Sequence, residues 1–246
     1  MPTIRAMTWN AYGGSTADLA AAVSALDVDL TVLQEAHNSP GSAFYGPLLA
    51  LAPAFAVAGP FRENQVRATP SGQMLCPEPS LVRSYAVVYR TATISNVAAS
   101  LVDYTADYHP IPASAFNAAQ AGYNQRPPLR ITFTHGGQHG VVYSWHAPLL
   151  HANARALALF DRCPSLANDV ASGRLVLIGA DMNQRSLSPQ LFQAFEGLED
   201  GYDHLLAANA VAVRDLRTTG LPAAELAHLD NLFAAPHWAV SAEIDY

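Results

Sequence analysis

In Arg174-Leu-Val-Leu-Ile-Gly-Ala-Asp181-Met-Asn183 an unbroken apolar run, Leu175 to Ile178, closes on Gly179. A run this short, with no polar alternation, reads as a strand covered on both faces, the kind found inside an α/β sheet. Asp181 and Asn183 follow, two residues apart. Alternate side chains of an extended segment project to the same side, so the stretch predicts a carboxylate and an amide delivered together from a strand end. Strand ends are where α/β proteins commonly build active sites. The same two residue types also suit a plain turn after a strand, and the stretch alone leaves both readings open.

Working outward, the N-terminal segment repeats the arrangement. Thr3 to Asn10 alternates around Ile4, Ala6 and Thr8 and predicts a first strand that ends in Trp9-Asn10. Tyr12-Gly13-Gly14 reads as a turn. Ser15 or Thr16 can then cap a helix that carries Leu19, Ala22, Val23 and Leu26 on one face. Leu30 to Leu33 is a second short apolar strand, ending in Gln34-Glu35. Strand, helix and strand form a βαβ unit, which puts Asn10 and Glu35 on one side of a sheet if the strands are parallel. Arg83 to Arg90 predicts a further strand, with Thr93 to Leu101 as its partner. Leu129 to Thr134 and Val141 to Ser144 form a hairpin across Gly136-Gly137-Gln138, followed by Trp145-His146-Ala147-Pro148. Helices are expected over Ala152 to Asp161 and Pro189 to Phe195, with a short one near Leu48 to Leu51. Val211 to Leu216 and Leu229 to Phe233 read as short strands. Two long excursions, Arg62 to Ser80 and Asp103 to Gln125, carry no clear element. Loops of that length are surface connections or functional rims.

At 246 residues, half of them hydrophobic, the chain is long enough for a substantial core. We expect one domain over 1–246, since no internal repeat, low-complexity tract or linker divides it. No apolar run reaches the length that spans a bilayer, so stable membrane insertion is not expected. The opening residues run straight into a strand pattern without a signal-peptide pattern, which leaves cytoplasmic residence and export without a cleavable leader both open. Cys76 and Cys163 are too few for a disulfide framework and read as two reduced thiols, although one bridge remains open. The formal charge is −7, and every strongly basic side chain is Arg, because the sequence has no Lys. That balance argues against strong nonspecific attraction to a polyanion, but a local Arg can still grip one phosphate. No feature sets an oligomeric state.

Several predicted strands therefore end in residues suited to metal-assisted phosphoryl chemistry: Asn10, Glu35, His146, Asp181 with Asn183, and Asp230. The order and wording of Thr8-Trp9-Asn10, Leu33-Gln34-Glu35, Ser144-Trp145-His146-Ala147-Pro148, Gly179-Ala180-Asp181-Met182-Asn183 and Leu229-Asp230-Asn231 resemble the endonuclease/exonuclease/phosphatase superfamily, over nearly the whole chain. The helix after His146 and Arg126-Pro127 ahead of the hairpin are most similar to its deoxyribonuclease I and distending-toxin branch. The resemblance implies a four-layered α/β sandwich, two packed mixed β-sheets flanked by helices. It implies Mg²⁺ (or Mn²⁺) held by Glu35 with Asn10 beside it, since Mg²⁺ takes one or two protein carboxylates and keeps waters. Asp181 would orient or deprotonate the attacking water, Asn183 would hold the phosphate, and His146 would donate to a phosphate oxygen. Asp230 would support the metal or the chemistry, and Arg126 would clamp a phosphate. The substrate would be a phosphate ester: DNA, or a lipid or inositol phosphate.

One family motif is absent. Members close with Ser-Asp-His before a last strand, and no Asp-His dipeptide follows Asp230 here. Asp203-His204 precedes it, and His228 and His237 have other neighbours. Three explanations stand: a chain lacking its last strand; a divergent enzyme in which His204 or His237 handles the proton; or a noncatalytic relative that binds a phosphorylated ligand or a protein partner.

Overall fold

Burial along the whole of Leu175–Asp181 follows from its unbroken apolar run, and this strand lies well inside a sheet. The computed structural model describes residues 1–11, 16–37, 41–62, 84–102, 127–148, 153–200, 202–219 and 239–246. In chain order these give β1 (Thr3–Asn10), α1 (Thr16–Ala25), β2 (Leu30–Ala36), α2 (Gly46–Leu49), β3 (Phe55–Arg62), β4 (Ser84–Arg90), β5 (Ile94–Leu101), β6 (Leu129–His135) and β7 (Gln138–His146). They continue with α3 (Asn153–Asp161), α4 (Pro164–Ala171), β8 (Leu175–Asp181), β9 (Glu196–Asp200), β10 (Asp203–Ala208), β11 (Ala212–Thr219) and β12 (Ala239–Asp245).

The strands form two mixed sheets of six, ordered β11-β12-β1-β2-β4-β3 and β5-β6-β7-β8-β10-β9. Each sheet has one parallel pair near its centre, β1 with β2 and β7 with β8. The neighbouring pairs are antiparallel. The β1–α1–β2 unit accounts for the first parallel pair, because a crossover helix is the usual way to return a chain parallel to itself. The helices α3 and α4 make the equivalent crossover between β7 and β8.

Period-two alternation then sorts each strand into two faces. Ile4 and Ala6 of β1, Leu30 and Val32 of β2, Val142 of β7, and Leu175 and Leu177 of β8 fill the space between the sheets. The opposite faces are covered separately. Met7, Trp9 and Leu33 pack with Leu19 and Val23 of α1, whereas Val141, Tyr143, Trp145, Val176 and Ile178 pack with Leu157 and Phe160 of α3. The result is helix, sheet, sheet, helix: a layered α/β sandwich. An ion pair ties α4 to the second sheet. Arg130 donates to both oxygens of Asp169 at 2.7 Å each, and the Tyr143 hydroxyl donates to the same carboxylate at 2.7 Å.

The structure departs from the sequence expectations at several elements. Pro189 to Phe195 is a series of turns, not a helix; Phe192 takes a left-handed backbone (φ 51°), which no α-helix accommodates. That conformation seats the Phe192 ring against Phe160 at 5.9 Å, with its backbone N–H donating to Asp161. The strands β3, β9, β10 and β12 and the helix α4 carried no clear sequence signal. The strand expected at Val211 to Leu216 runs over Ala212–Thr219. Thr93 to Leu101, expected to partner the strand at Arg83 to Arg90, instead pairs as β5 with β6 in the other sheet. Cys163 is a buried free thiol. Among the described residues no helix is long and apolar enough to cross a membrane. Arg126, Leu229 to Phe233 and therefore Asp230, Cys76, His228 and His237 lie outside the described residues.

Candidate active site

The carboxyl ends of the two central parallel pairs meet at one end of the inter-sheet space. Asn10 is the last residue of β1, His146 of β7 and Asp181 of β8, and Glu35 stands one residue before the end of β2. This is the position at which α/β sheets commonly present polar groups to a ligand. Asn10, His146 and Asp181 reach the inner face by simple alternation from Ile4, Val142 and Leu177. In the parallel ladder His146 sits directly opposite Asp181.

Glu35 reaches the same place by a different route. Alternation would send it outward with Leu33, but Glu35 has a left-handed backbone (φ 51°), and the pairing of β2 with β4 slips between Leu33 and Ala36. A bulge adds a residue and re-aims the side chains after it. A left-handed conformation at a non-glycine residue is uncommon and concentrates at functional sites. Here it turns the carboxylate inward, where Glu35 Oε1 lies 3.2 Å from His146 Nε2.

A chain of contacts links the four groups. Asn10 Nδ2 donates to Asp181 Oδ2 at 2.8 Å, bridging the two sheets. His146 Nε2 lies between the two carboxylates, 3.2 Å from Glu35 and 3.6 Å from Asp181 Oδ2. The side chains of Glu35, His146 and Asp181 are 6%, 3% and 1% exposed, so charge in this cluster is felt at low local dielectric. Beneath it, the Tyr85 hydroxyl of β4 accepts from the His146 backbone N–H at 3.3 Å.

Asn183 joins the cluster, although not by strand alternation. The chain leaves extended geometry after Asp181, and Asn183 is left-handed (φ 50°). Its backbone N–H donates to Asp181 Oδ1 at 2.8 Å, and its side-chain Nδ2 donates to the Ala147 carbonyl at 2.7 Å. Asp181 is thus held at both oxygens, by Asn10 on one and Asn183 on the other. His204, in contrast, faces the opposite side of its sheet with Leu206 and Ala208, and its Nε2 contacts the Gln184 carbonyl at 2.7 Å.

Two residues gain a place that the sequence reading did not give them. Asp203 pairs with Asp181 across β8 and β10, is fully buried, and shares the inward parity of Leu205. Its neighbour His204 drew attention to the dipeptide without showing which residue of it faces inward. Arg185, two residues past Asn183, is exposed at the rim and stacks over the Tyr202 ring at 5.5 Å. Nothing but its proximity to Asn183 would have marked it.

Among the described residues no three His, Cys, Asp or Glu side chains stand at metal-ligand spacing. The donor set nonetheless fits a hard divalent cation. A carboxylate from Glu35 and an amide oxygen from Asn10 are the oxygen ligands that Mg²⁺ prefers, with water completing its shell. A site of that composition uses one acidic side chain and needs no cluster of three.

The sequence matches the model of the Endonuclease/Exonuclease/phosphatase family over residues 7–243, and the chain belongs to that family. Its chemistry is the hydrolysis of phosphoesters. No curated protein matches in the sequence comparison. Among solved structures the fold is similar to TDP2 from C. elegans, with TM-score 0.64 and 13% identity over 99% of this chain and 75% of that one. It is similar also to the human Nocturnin catalytic domain with bound sulfate anion, at TM-score 0.62 and 14% identity over 99% of this chain and 93% of that one. D. rerio TDP2 complexed with single strand DNA product aligns at TM-score 0.61 and 12% identity over all of both chains. At such identities these likenesses establish the DNase I-like fold.

Proposed function

We propose that this chain is a divalent-metal-dependent phosphoester hydrolase whose 246 residues act as one domain. The observation that carries the reading is the cross-sheet contact of Asn10 with Asp181, with His146 lying between Asp181 and Glu35. Four separate strands deliver one carboxylate suited to an ion, one suited to a nucleophilic water, and a hydrogen-bond donor between them.

In this reading Glu35 and Asn10 hold Mg²⁺ or Mn²⁺, which when bound polarises the phosphoryl group and neutralises charge on the leaving oxygen. Asp181 orients the attacking water and accepts its proton. The bonds from Asn10 and Asn183 fix which way that carboxylate faces. Such pre-orientation is worth more than the bonds themselves, because a misplaced base loses the aligned attack. His146 donates through Nε2 to a phosphate oxygen as charge develops there. Asn183 holds the phosphate beside it, Arg126 clamps it, and Asp230 supports the ion or the proton transfer. Arg185 adds a guanidinium at the rim, a group that matches phosphate oxygens in pairs.

His237 is our candidate for the proton work that the absent Asp-His motif leaves open. It stands two residues ahead of β12, and the first residues of β12 pair with the end of β1 that carries Asn10, Val240 lying opposite Thr8. The orientation of His204 makes it the weaker alternative.

The substrate is a phosphate ester. The D. rerio TDP2 structure holds a single-strand DNA product, which makes DNA the first polymer to assay, with small and lipid phosphoesters beside it. Purified protein is expected to cleave bis(p-nitrophenyl) phosphate or a single-stranded oligonucleotide with Mg²⁺ or Mn²⁺, and to stop in EDTA. Glu35→Ala should abolish the cleavage. Binding of the oligonucleotide without product over long incubation would instead support a noncatalytic relative, and full turnover in EDTA would defeat the metal assignment.

A further inference from the structure

Below the cluster lies a second polar tier that the proposed chemistry leaves unused. Thr8, Gln34 and Ser144 are fully buried on the inner face, one inward position beneath Asn10, Glu35 and His146. At the same level β8 carries Gly179, whose carbonyl joins them. Gln34 connects all of these. Its Nε2 approaches Thr8 Oγ1 of β1 at 3.1 Å, Ser144 Oγ of β7 at 2.9 Å and the Gly179 carbonyl of β8 at 3.0 Å. The Thr8 hydroxyl returns a long bond of 3.4 Å to Gln34 Oε1. One primary amide of the first sheet is thus fastened to two neighbouring strands of the second. The sheets also approach each other closely here: a Cβ on Gly179 would lie 2.4 Å from Val32 Cγ2 and 2.9 Å from Thr8 Cβ.

We propose that Gln34 is a positioning residue that sets the separation of the two sheets directly beneath the site. Its amide nitrogen, with two N–H groups, lies within hydrogen-bond distance of oxygens on β1, β7 and β8, the three strands that end in Asn10, His146 and Asp181. A hydrophobic layer alone does not do this, because apolar contacts are non-directional and tolerate sliding. A buried amide does, because every missed bond leaves a polar group desolvated. The residue touches no reacting group and acts through the 2.8 Å Asn10–Asp181 bond and the Glu35–His146 contact above it. The inference rests on reading that cluster as the metal and phosphoester site.

The test compares Gln34→Met, of similar volume but without a donor, with Leu177→Ala, which opens the core lower down without touching the polar tier. Mn²⁺ alone, titrated by electron paramagnetic resonance, is the probe. Gln34→Met should weaken Mn²⁺ binding about tenfold, the usual effect of removing a residue that supports a metal's ligands. Leu177→Ala should lower thermal stability and leave Mn²⁺ affinity unchanged. A metal-free arm uses urea unfolding of Asn10→Ala, Gln34→Met and the double variant. If Gln34 sets the spacing, Asn10→Ala should raise the unfolding constant at least threefold less in the Gln34→Met background than in wild type. Factors that multiply within about twofold, as independent sites do, would overturn the proposal, as would unaltered Mn²⁺ affinity in Gln34→Met. Should wild-type protein bind no Mn²⁺, the metal reading fails and the unfolding cycle still decides the role of Gln34. Should Gln34→Met not fold, Ser144→Ala, which removes one of the three acceptors, takes its place in both arms with the same two overturning results.

Discussion

Gly179→Ala is the smallest change that should disturb both the fold and the site. The added methyl carbon would sit 2.4 Å from Val32 Cγ2 and 2.9 Å from Thr8 Cβ. Ordinary carbon contacts lie at about 3.5–4.0 Å, so the nearer overlap is roughly 1 Å or more. Val32 is buried in the inter-sheet core and Thr8 in the polar tier above it, so neither can relieve the overlap by swinging into solvent. Overpacking of this kind costs about 1–3 kcal/mol. For a chain of this size that corresponds to a melting temperature lower by roughly 2–12 °C, at about 2–4 °C per kcal/mol. The strain acts one inward position from Asp181. Even a 1 Å displacement of a reacting group can lower a rate by about a hundredfold, so hydrolysis should fall more steeply than stability does. Differential scanning calorimetry and bis(p-nitrophenyl) phosphate hydrolysis, measured well below the melting temperature, check the two effects separately. Wild-type stability together with wild-type rate would show that the sheets are not in close contact at Gly179.

Other consequences concern the frame more than the cluster. Asp169→Ala leaves Arg130 without its carboxylate and the Tyr143 hydroxyl without an acceptor; breaking a largely buried pair costs about 3 kcal/mol, and urea unfolding should show a loss of that order. Burial raises the Asp169 pKa, but the hydrogen bonds from Arg130 and Tyr143 outweigh it and hold the carboxyl below 3.8. Its contribution is therefore complete above the unfolded value and is lost as pH falls through the depressed folded one. Asp169→Asn should flatten the stability profile below about pH 4. His135 is shifted the other way for its class: burial, partly opposed by the charge of Asp29, lowers it from 6.5. A histidine kept neutral in the fold stabilises above its unfolded pKa and loses that contribution as pH drops below 6.5 toward the folded value. Stability followed from pH 7 to 5 should decline, and His135→Gln should reduce the decline. Its Nδ1 contact with the Tyr246 hydroxyl, 2.8 Å, predicts that Tyr246→Phe lowers stability by about 1 kcal/mol.

Much of this architecture could be read from the chain, and the physical reasons for what escaped are specific. The β1–α1–β2 unit, the β6–β7 hairpin and β8 announce themselves through contiguous apolar runs, a helical face and a diglycine turn. In β10, Asp203–Ala208 starts with two buried polar residues, and half of the apolar run that follows, Leu205 to Ala208, is alanine, a residue depleted in strands, so its signal is weak. β9 is short and acidic, and β3 contains Gly59-Pro60, a breaker pair. Motif order placed Asn10, Glu35, His146 and Asp181 at strand ends, and the structure brings all four together. Periodicity could not have foreseen how Glu35 gets there, because a bulge and a left-handed residue reverse its face. The link from Asp181 to Asn183 is likewise a turn held by a side-chain bond, which strand spacing does not describe. Gln34 was visible as a motif residue without a role, since its three partners come from positions 26, 110 and 145 residues away.

The central claim is that Asn10 and Glu35 hold a divalent ion beside Asp181. Crystals soaked in Mn²⁺ and measured at the manganese absorption edge test it most directly. An anomalous peak within coordination distance of a Glu35 carboxylate oxygen and the Asn10 side-chain oxygen is the expected result, and it should vanish in Glu35→Gln. A peak confined to other residues, or one at Glu35 that persists unchanged in Glu35→Gln, would contradict the account.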